Sequence, residues 1–170
     1  MKKFLFAAAL ISFFAFGAKA QSTYQSAIGA RLGTGYADLL SASYKTFLAE
    51  SPSAIEFNFG FRPSYQTYDD LNLALSAAYQ FHVPIPAVDG LQWFIGGGIT
   101  GYYTFSSYNS YEGFGLGIFP TGGVDYKFAD IPLNLSVDLR PTIRIVSPSV
   151  YDYSNFYFGN FGVSARYTLR

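Results

Sequence analysis

The chain has 170 residues, 11 Lys+Arg against 11 Asp+Glu, no cysteine, 15 tyrosines and 18 phenylalanines. A neutral balance without a basic stripe argues against a nucleic-acid binder. The lack of cysteine excludes disulfides, a lipid-modified cysteine and thiolate metal sites.

The first twenty residues, "MKKFLFAAALISFFAFGAKA", carry Lys2 and Lys3, then an apolar stretch from Phe4 to about Ala18. They end in Ala18-Lys19-Ala20, the small-x-small pattern of a signal-peptidase site. About 14 apolar residues are too few to cross ~30 Å of hydrocarbon as a helix. The expectation is a secretory signal over 1–20, cleaved between Ala20 and Gln21, and one domain over 21–170. Without Lys2, Lys3 and Lys19, 8 Lys+Arg face 11 Asp+Glu, a net charge of about −3.

Aromatic abundance favours strands over helices, and period-two alternation recurs with turn-like interruptions. In chain order the pattern predicts eight strands: about 26–33, 40–48, 54–62, 71–83, 91–105, 114–128, 133–145 and 156–169. Links after the second, fourth and sixth are compact: "AESPS", "PIPAVDG" and "ADIP". The other links, "TGYADL", "PSYQTYDD", "SSYNSYEG" and "VSPSVYDYSN", are mostly longer and rich in Tyr, Ser and Asp. That alternation fits an up-and-down membrane barrel with its termini on the short-turn side, an all-β fold of eight antiparallel strands.

Successive side chains of a strand point to opposite faces. In "AIEFNFGFR", Ile55, Phe57, Phe59 and Phe61 share one parity, and Glu56, Asn58, Gly60 and Arg62 the other. Across all eight strands the first parity collects Ile28, Leu32, Leu75, Ile95, Ile99, Ile118, Leu135, Val137, Phe161 and Val163, with no charged residue. The second holds Arg31, Lys45, Glu56, Arg62, Asp125, Lys127, Asp138, Arg140, Arg144, Arg166 and Arg170, interleaved with glycine and serine. A soluble barrel would turn the greasy parity inward and leave a surface unusually poor in Lys, Glu and Gln. A membrane barrel reverses this, because Arg or Lys facing mid-bilayer costs roughly 2–4 kcal/mol. Aromatics gather near both strand ends. Phe81, Trp93, Tyr126, Phe128 and Tyr167 lie toward the termini, and Tyr103, Phe105, Phe114 and Tyr157 lie toward the long loops, as two interface girdles.

The signal, the eight strands, the segment "VDYKFADIPLNLSVDLRP" and the ending "FGVSARYTLR" resemble the small bacterial outer-membrane β-barrel proteins, akin to the membrane domain of OmpA-type proteins. The resemblance covers 21–170 and rests on patterns rather than signatures. It implies a monomer in a Gram-negative outer membrane, with the lipid bilayer and the barrel-assembly machinery as partners. Many members end in phenylalanine; this chain ends Tyr167-Thr168-Leu169-Arg170.

All eight basic residues of 21–170 fall on the polar parity, with only Glu56, Asp125 and Asp138 as acidic companions. One expectation is a plug of ion pairs, with Asp69, Asp70 and Asp152 meeting Arg62 and Arg144 at the rim. The alternative is a narrow anion-selective, porin-like pore driven by surplus cations; a third reading is a secreted soluble lipocalin-like barrel. No enzyme is expected, since His82 is the single histidine and no Ser-His-acid order is recognisable. His82 reads as a hydrogen-bonded lumen or turn residue. "IGGGITG" and "GFGLGIF" lack the spacing of a phosphate loop, and no cofactor or metal is expected. Tyr65, Tyr68, Tyr102, Tyr108, Tyr111, Tyr151 and Tyr153 suit a loop surface that recognises an extracellular protein or glycan, or tyrosines resting among headgroups.

Overall fold

Alternation with period two gives each strand a greasy and a polar face, and a sheet with two such faces has to choose which one encloses the other. In the computed structural model, which describes residues 24–49, 51–64, 70–106, 112–147 and 155–169, the sheet closes on itself. The strands are β1 (Ser26–Gly33), β2 (Leu40–Phe47), β3 (Ser53–Ser64), β4 (Asp70–Pro84), β5 (Leu91–Phe105), β6 (Gly113–Lys127), β7 (Leu133–Leu139), β8 (Thr142–Val146), β9 (Phe156–Tyr157) and β10 (Phe161–Leu169). β7 with β8, and β9 with β10, are halves of single staves, so the ten segments make a closed antiparallel barrel of eight staves. Closure runs from Ser26↔Leu169 to Gly33↔Gly162, joining first and last strands. No edge is left open, as lipid would require of a sheet.

The expected strands are found within a few residues, with two interruptions. The stave expected over 133–145 breaks after Leu139, and the one expected over 156–169 breaks after Tyr157. Pro141 and Pro120 explain the first break. Pairing of β6 stops at Gly122↔Leu139 and resumes at Ile118↔Ile143. Midway in that gap each stave carries a proline, which has no N–H to give. The neighbouring stave breaks at the same height, where Arg140 N still donates to Asn160 O at 2.8 Å.

The barrel wall is uneven. β4, β5 and β6 are each 15 residues long, and β1 and β2 only 8. Links 48–52, 85–90 and 128–132 share one end with the chain termini, here the terminus end. The link 34–39 and the connections after β3, β5 and β8 define the loop end.

Candidate functional site

Burial settles the choice between the two faces. Ile28, Leu75, Ile99 and Val163 are 52–60% exposed on the outer wall, whereas Arg31 and Lys45 are 0% exposed and Arg166 and Glu56 1% exposed. The largest fully buried side chains are Arg31, Arg140, Arg166 and Lys45. The oil is outside and the ions are inside.

The interior is a continuous ionic ladder. Asp138 takes Arg31 Nη2 at 2.7 Å and Arg140 Nε at 2.8 Å. Arg140 Nη2 reaches across to Glu56 at 2.6 Å, and Arg166 Nη2 meets the same carboxylate at 2.9 Å. Gln80 Nε2 and Asn58 Nδ2 donate to Glu56 at 2.9 and 3.0 Å. Lys45 Nζ lies 2.6 Å from Asp125 and 3.7 Å from Glu56. Arg166 also donates to Ser43 and Ser136, at 2.8 and 2.7 Å. Charge-assisted bonds of this kind are what allow ions to be buried at all, because an unpartnered one is very costly.

Glycine makes the space. A Cβ on Gly123 would sit 2.8 Å from the Phe94 ring, and one on Gly162 would overlap the Arg31 guanidinium. Side chains from the adjacent strands fill the volume that these inward positions vacate.

The expected charge cluster separates by depth. Arg31, Lys45, Glu56, Asp125, Asp138, Arg140 and Arg166 are buried together. Arg62, Lys127 and Arg144 are only half-buried. Arg62 Nη1 donates to Gly35 O, Lys127 Nζ donates to Phe128 O and Ile131 O, and the Arg144 guanidinium lies over the Tyr36 ring at 5.5 Å. Asp69, Asp152 and Arg170 lie outside the described residues, as does the side chain of Asp70.

A fourth acid comes from an unexpected place. Asp38, read from sequence as part of a connection, folds into the mouth and meets Arg31 Nη1 at 3.0 Å. Among the described residues the buried ladder then has four cations (Arg31, Lys45, Arg140, Arg166) against four acids (Asp38, Glu56, Asp125, Asp138). The cation surplus that counting strands suggested does not reach the interior.

The segment that delivers Asp38 turns inward at the loop end. Gly33 N donates to Leu39 O and Leu39 N to Phe61 O, turning 34–39 across the opening. Tyr36 packs edge-on against Tyr102 and Tyr157, with centroids at 5.1 and 5.7 Å. Two readings are corrected here. Tyr102 is not a loop residue but a buried side chain of β5, and Tyr157 is tied into the mouth, its hydroxyl donating to Thr34 O at 2.7 Å, not turned to a girdle. Burial raises the Tyr36 hydroxyl pKa and, outweighing the attraction of Arg31, that of the Asp38 carboxyl. Below the segment is a polar cavity of about 10 Å³, lined in part by Asp38, Arg140 and Asn160, with room for about one water.

At the terminus end rings pack inside the barrel. Tyr24 packs edge-on against Phe47 at 5.1 Å and donates its hydroxyl to Asp125 at 3.3 Å. His82 sits between Phe47 and Phe94, with centroids at 4.8 and 5.1 Å. It was expected to be hydrogen-bonded, but neither ring nitrogen has a hydrogen-bond partner. Its Nε2 is 3.7 Å from Asp125 Oδ2, too far for a hydrogen bond. Of the remaining girdle residues, Phe81, Tyr103, Phe105, Phe114 and Tyr167 are exposed on the outer wall, and Trp93, Tyr126 and Phe128 are half-covered.

With that geometry in hand, comparison with known proteins is informative about fold. The chain is similar in fold to Neisserial surface protein A, whose crystal structure matches 85% of this chain and 95% of its own with a TM-score of 0.53 and 10% sequence identity. No protein-family model and no curated protein sequence matches. At that identity the likeness carries the closed eight-stave architecture and no residue-level role.

Sequence reasoning missed Asp38, Tyr24 and Tyr36, which lie outside strands where parity has no meaning. It placed Asn58 and Asn134 on the polar parity without naming them, or Gln80, as hydrogen-bond donors to the acids.

Proposed function

We propose that the chain is exported through its first twenty residues and inserted as a monomer into the outer membrane of a Gram-negative cell. There it serves as a surface barrel with a closed lumen, presenting its Tyr/Ser/Asp-rich connections to an extracellular protein or glycan. The observation that carries the reading is the inversion of the wall: apolar side chains exposed all round, and Arg31, Lys45, Arg140 and Arg166 sealed inside. Hydrocarbon is the solvent that such a surface fits, and a barrel is the sheet that it tolerates. A soluble lipocalin-like barrel would expose the opposite face.

The equal count of buried cations and acids, with closures at both ends, favours a filled lumen over an anion-selective path, for which a cationic lining would be needed. The ladder's carboxylates are each bound to cations or amides rather than facing an open cleft, which supports a role in structure and surface contact. Insertion would rest on the barrel-assembly machinery.

The test is gel mobility in SDS with and without boiling, alongside carbonate washing of membranes. The expected result is a fast-migrating band that shifts on heating and a protein retained in the washed membrane. Release by carbonate with unchanged migration would overturn the reading. Planar bilayers at neutral pH test the filled lumen and should stay silent; steady anion current would contradict it.

A further inference from the structure

His82 is a buried ionisable side chain neither of whose ring nitrogens has a hydrogen-bond partner. Such a group calls for an explanation. It lies at the terminus end, where its backbone N donates to Pro52 O at 2.9 Å and its ring is held between those of Phe47 and Phe94.

The charged groups facing it are Asp125 from β6, Lys45 from β2 and Glu56 from β3. Tyr24, ahead of β1, shares Asp125 through its hydroxyl, β5 contributes the non-titrating Phe94, and its own strand contributes Gln80. Asp125 is already engaged by Lys45 at 2.6 Å, by Tyr24 and by Asn134. Glu56 is held by Arg140, Arg166 and Gln80. Among the described residues the buried ladder is balanced, four charges against four, so a proton on His82 would add a fifth positive charge with no acid of its own. Histidine is the side chain whose charge ordinarily changes between about pH 5 and 8.

We propose that His82 is an acid-operated release of the barrel floor: when the imidazole takes up a proton from solvent it leaves its place between Phe47 and Phe94, and the terminus end opens to water while the loop end stays shut. The inference rests on the closed-lumen reading above. The open floor hydrates the imidazolium and lets Asp125 turn toward it without abandoning Lys45 in a dry site. The loop end responds differently, for acid would neutralise Asp38 there rather than add a charge, and the 34–39 backbone and the tyrosines hold it as well.

Amide hydrogen exchange by NMR in lipid nanodiscs tests this, comparing protection factors at about pH 7.5 and about pH 5. The floor amides are Phe47 and His82, bonded to Gln25 O and Pro52 O; the loop-end reference amides are Gly33 and Leu39. If the proton is held only by the open form, at the ordinary imidazole pKa of about 6.5, the open population rises about thirtyfold at pH 5. Floor protection should fall by about that factor while the reference amides change little. In His82→Phe, and in His82→Gln should the first variant not fold, the acid-induced drop should vanish. A drop of equal size at both ends, an undiminished drop in either variant, or no drop in the wild type would overturn the proposal. Floor amides already unprotected at pH 7.5 would instead count against the closed lumen itself, so the two failures are distinguishable.

Discussion

At the loop end chain turns inward: residues 34–39 cross the mouth, fastened by backbone hydrogen bonds and by Tyr36, Asp38 and Tyr157. At the terminus end rings turn inward from the wall, those of Tyr24, Phe47, His82 and Phe94. The first closure depends on the path of a short connection, the second on side-chain packing from strands. Between them runs a ladder of ion pairs that both ends share through Asp38 and Asp125. Two ends of similar burial can therefore have opposite sensitivities: contacts made by a connection fail by backbone fluctuation, contacts made by rings by loss of apolar packing or by gain of charge.

The largest effect should come from the shared ladder. Glu56→Ala leaves Arg140, Arg166 and Lys45 without their common carboxylate, and breaking a buried charge set on one side costs about 3–5 kcal/mol. Urea unfolding in phospholipid vesicles, followed by the heat-modifiable gel band, should show a loss of that order, with both ends loosened. A loss below about 1 kcal/mol would mean that the ladder is not what holds the interior.

Next is the floor. Phe47 is buried against Tyr24 and His82, so Phe47→Ala should cost about 3 kcal/mol. Hydrogen exchange should rise at Phe94 and His82 well before it rises at Leu39. If both ends respond equally, the two seals are one cooperative unit and the contrast drawn here is wrong.

A smaller loss is expected at the mouth. Asp38→Asn keeps an oxygen acceptor but removes a charge that burial already disfavours, and Arg31 retains its two bonds to Asp138. The cost should be no more than about 1 kcal/mol, visible as faster proteolysis within 34–39 rather than as global unfolding.

The smallest effect is its pH dependence. Burial lifts the Asp38 carboxyl pKa above its ordinary value, so the folded state holds that proton more tightly than the unfolded chain does. Stability owed to Asp38 therefore grows as pH falls through the folded pKa and is lost as pH rises through it. The unfolding free energy of wild type relative to Asp38→Asn should shift in the wild type's favour on moving from about pH 7 to about pH 5. A shift the other way would mean that Arg31 outweighs burial.

How much of this was legible in the sequence follows from the same contrast. Parity read the wall correctly because period-two alternation is a property of each strand alone: Phe57 and Phe59 face out and Glu56 and Asn58 face in, whatever their neighbours do. The stave breaks were less legible, since Pro120 and Pro141 are distant in sequence and become opposed only when β6 and β7–β8 align in register. Asp38 was not legible at all. Its partner Arg31 is seven residues away, but whether a connection folds inward depends on the Tyr102, Tyr157 and Phe61 that receive it, and these come from three other strands. His82 was placed on the correct face, yet its lack of a hydrogen bond depends on how Lys45, Tyr24 and Asn134 divide Asp125 among them.

The central claim is that the apolar wall meets lipid and the ions are enclosed. Because the chain has no cysteine, single-cysteine variants can each carry a nitroxide label without a background. Labels at Leu75, Ile99 and Val163, in barrels reconstituted into vesicles, should collide freely with oxygen dissolved in the bilayer and poorly with a water-soluble nickel complex. The reverse order of accessibility at these three positions would contradict the inverted wall and every functional reading built on it.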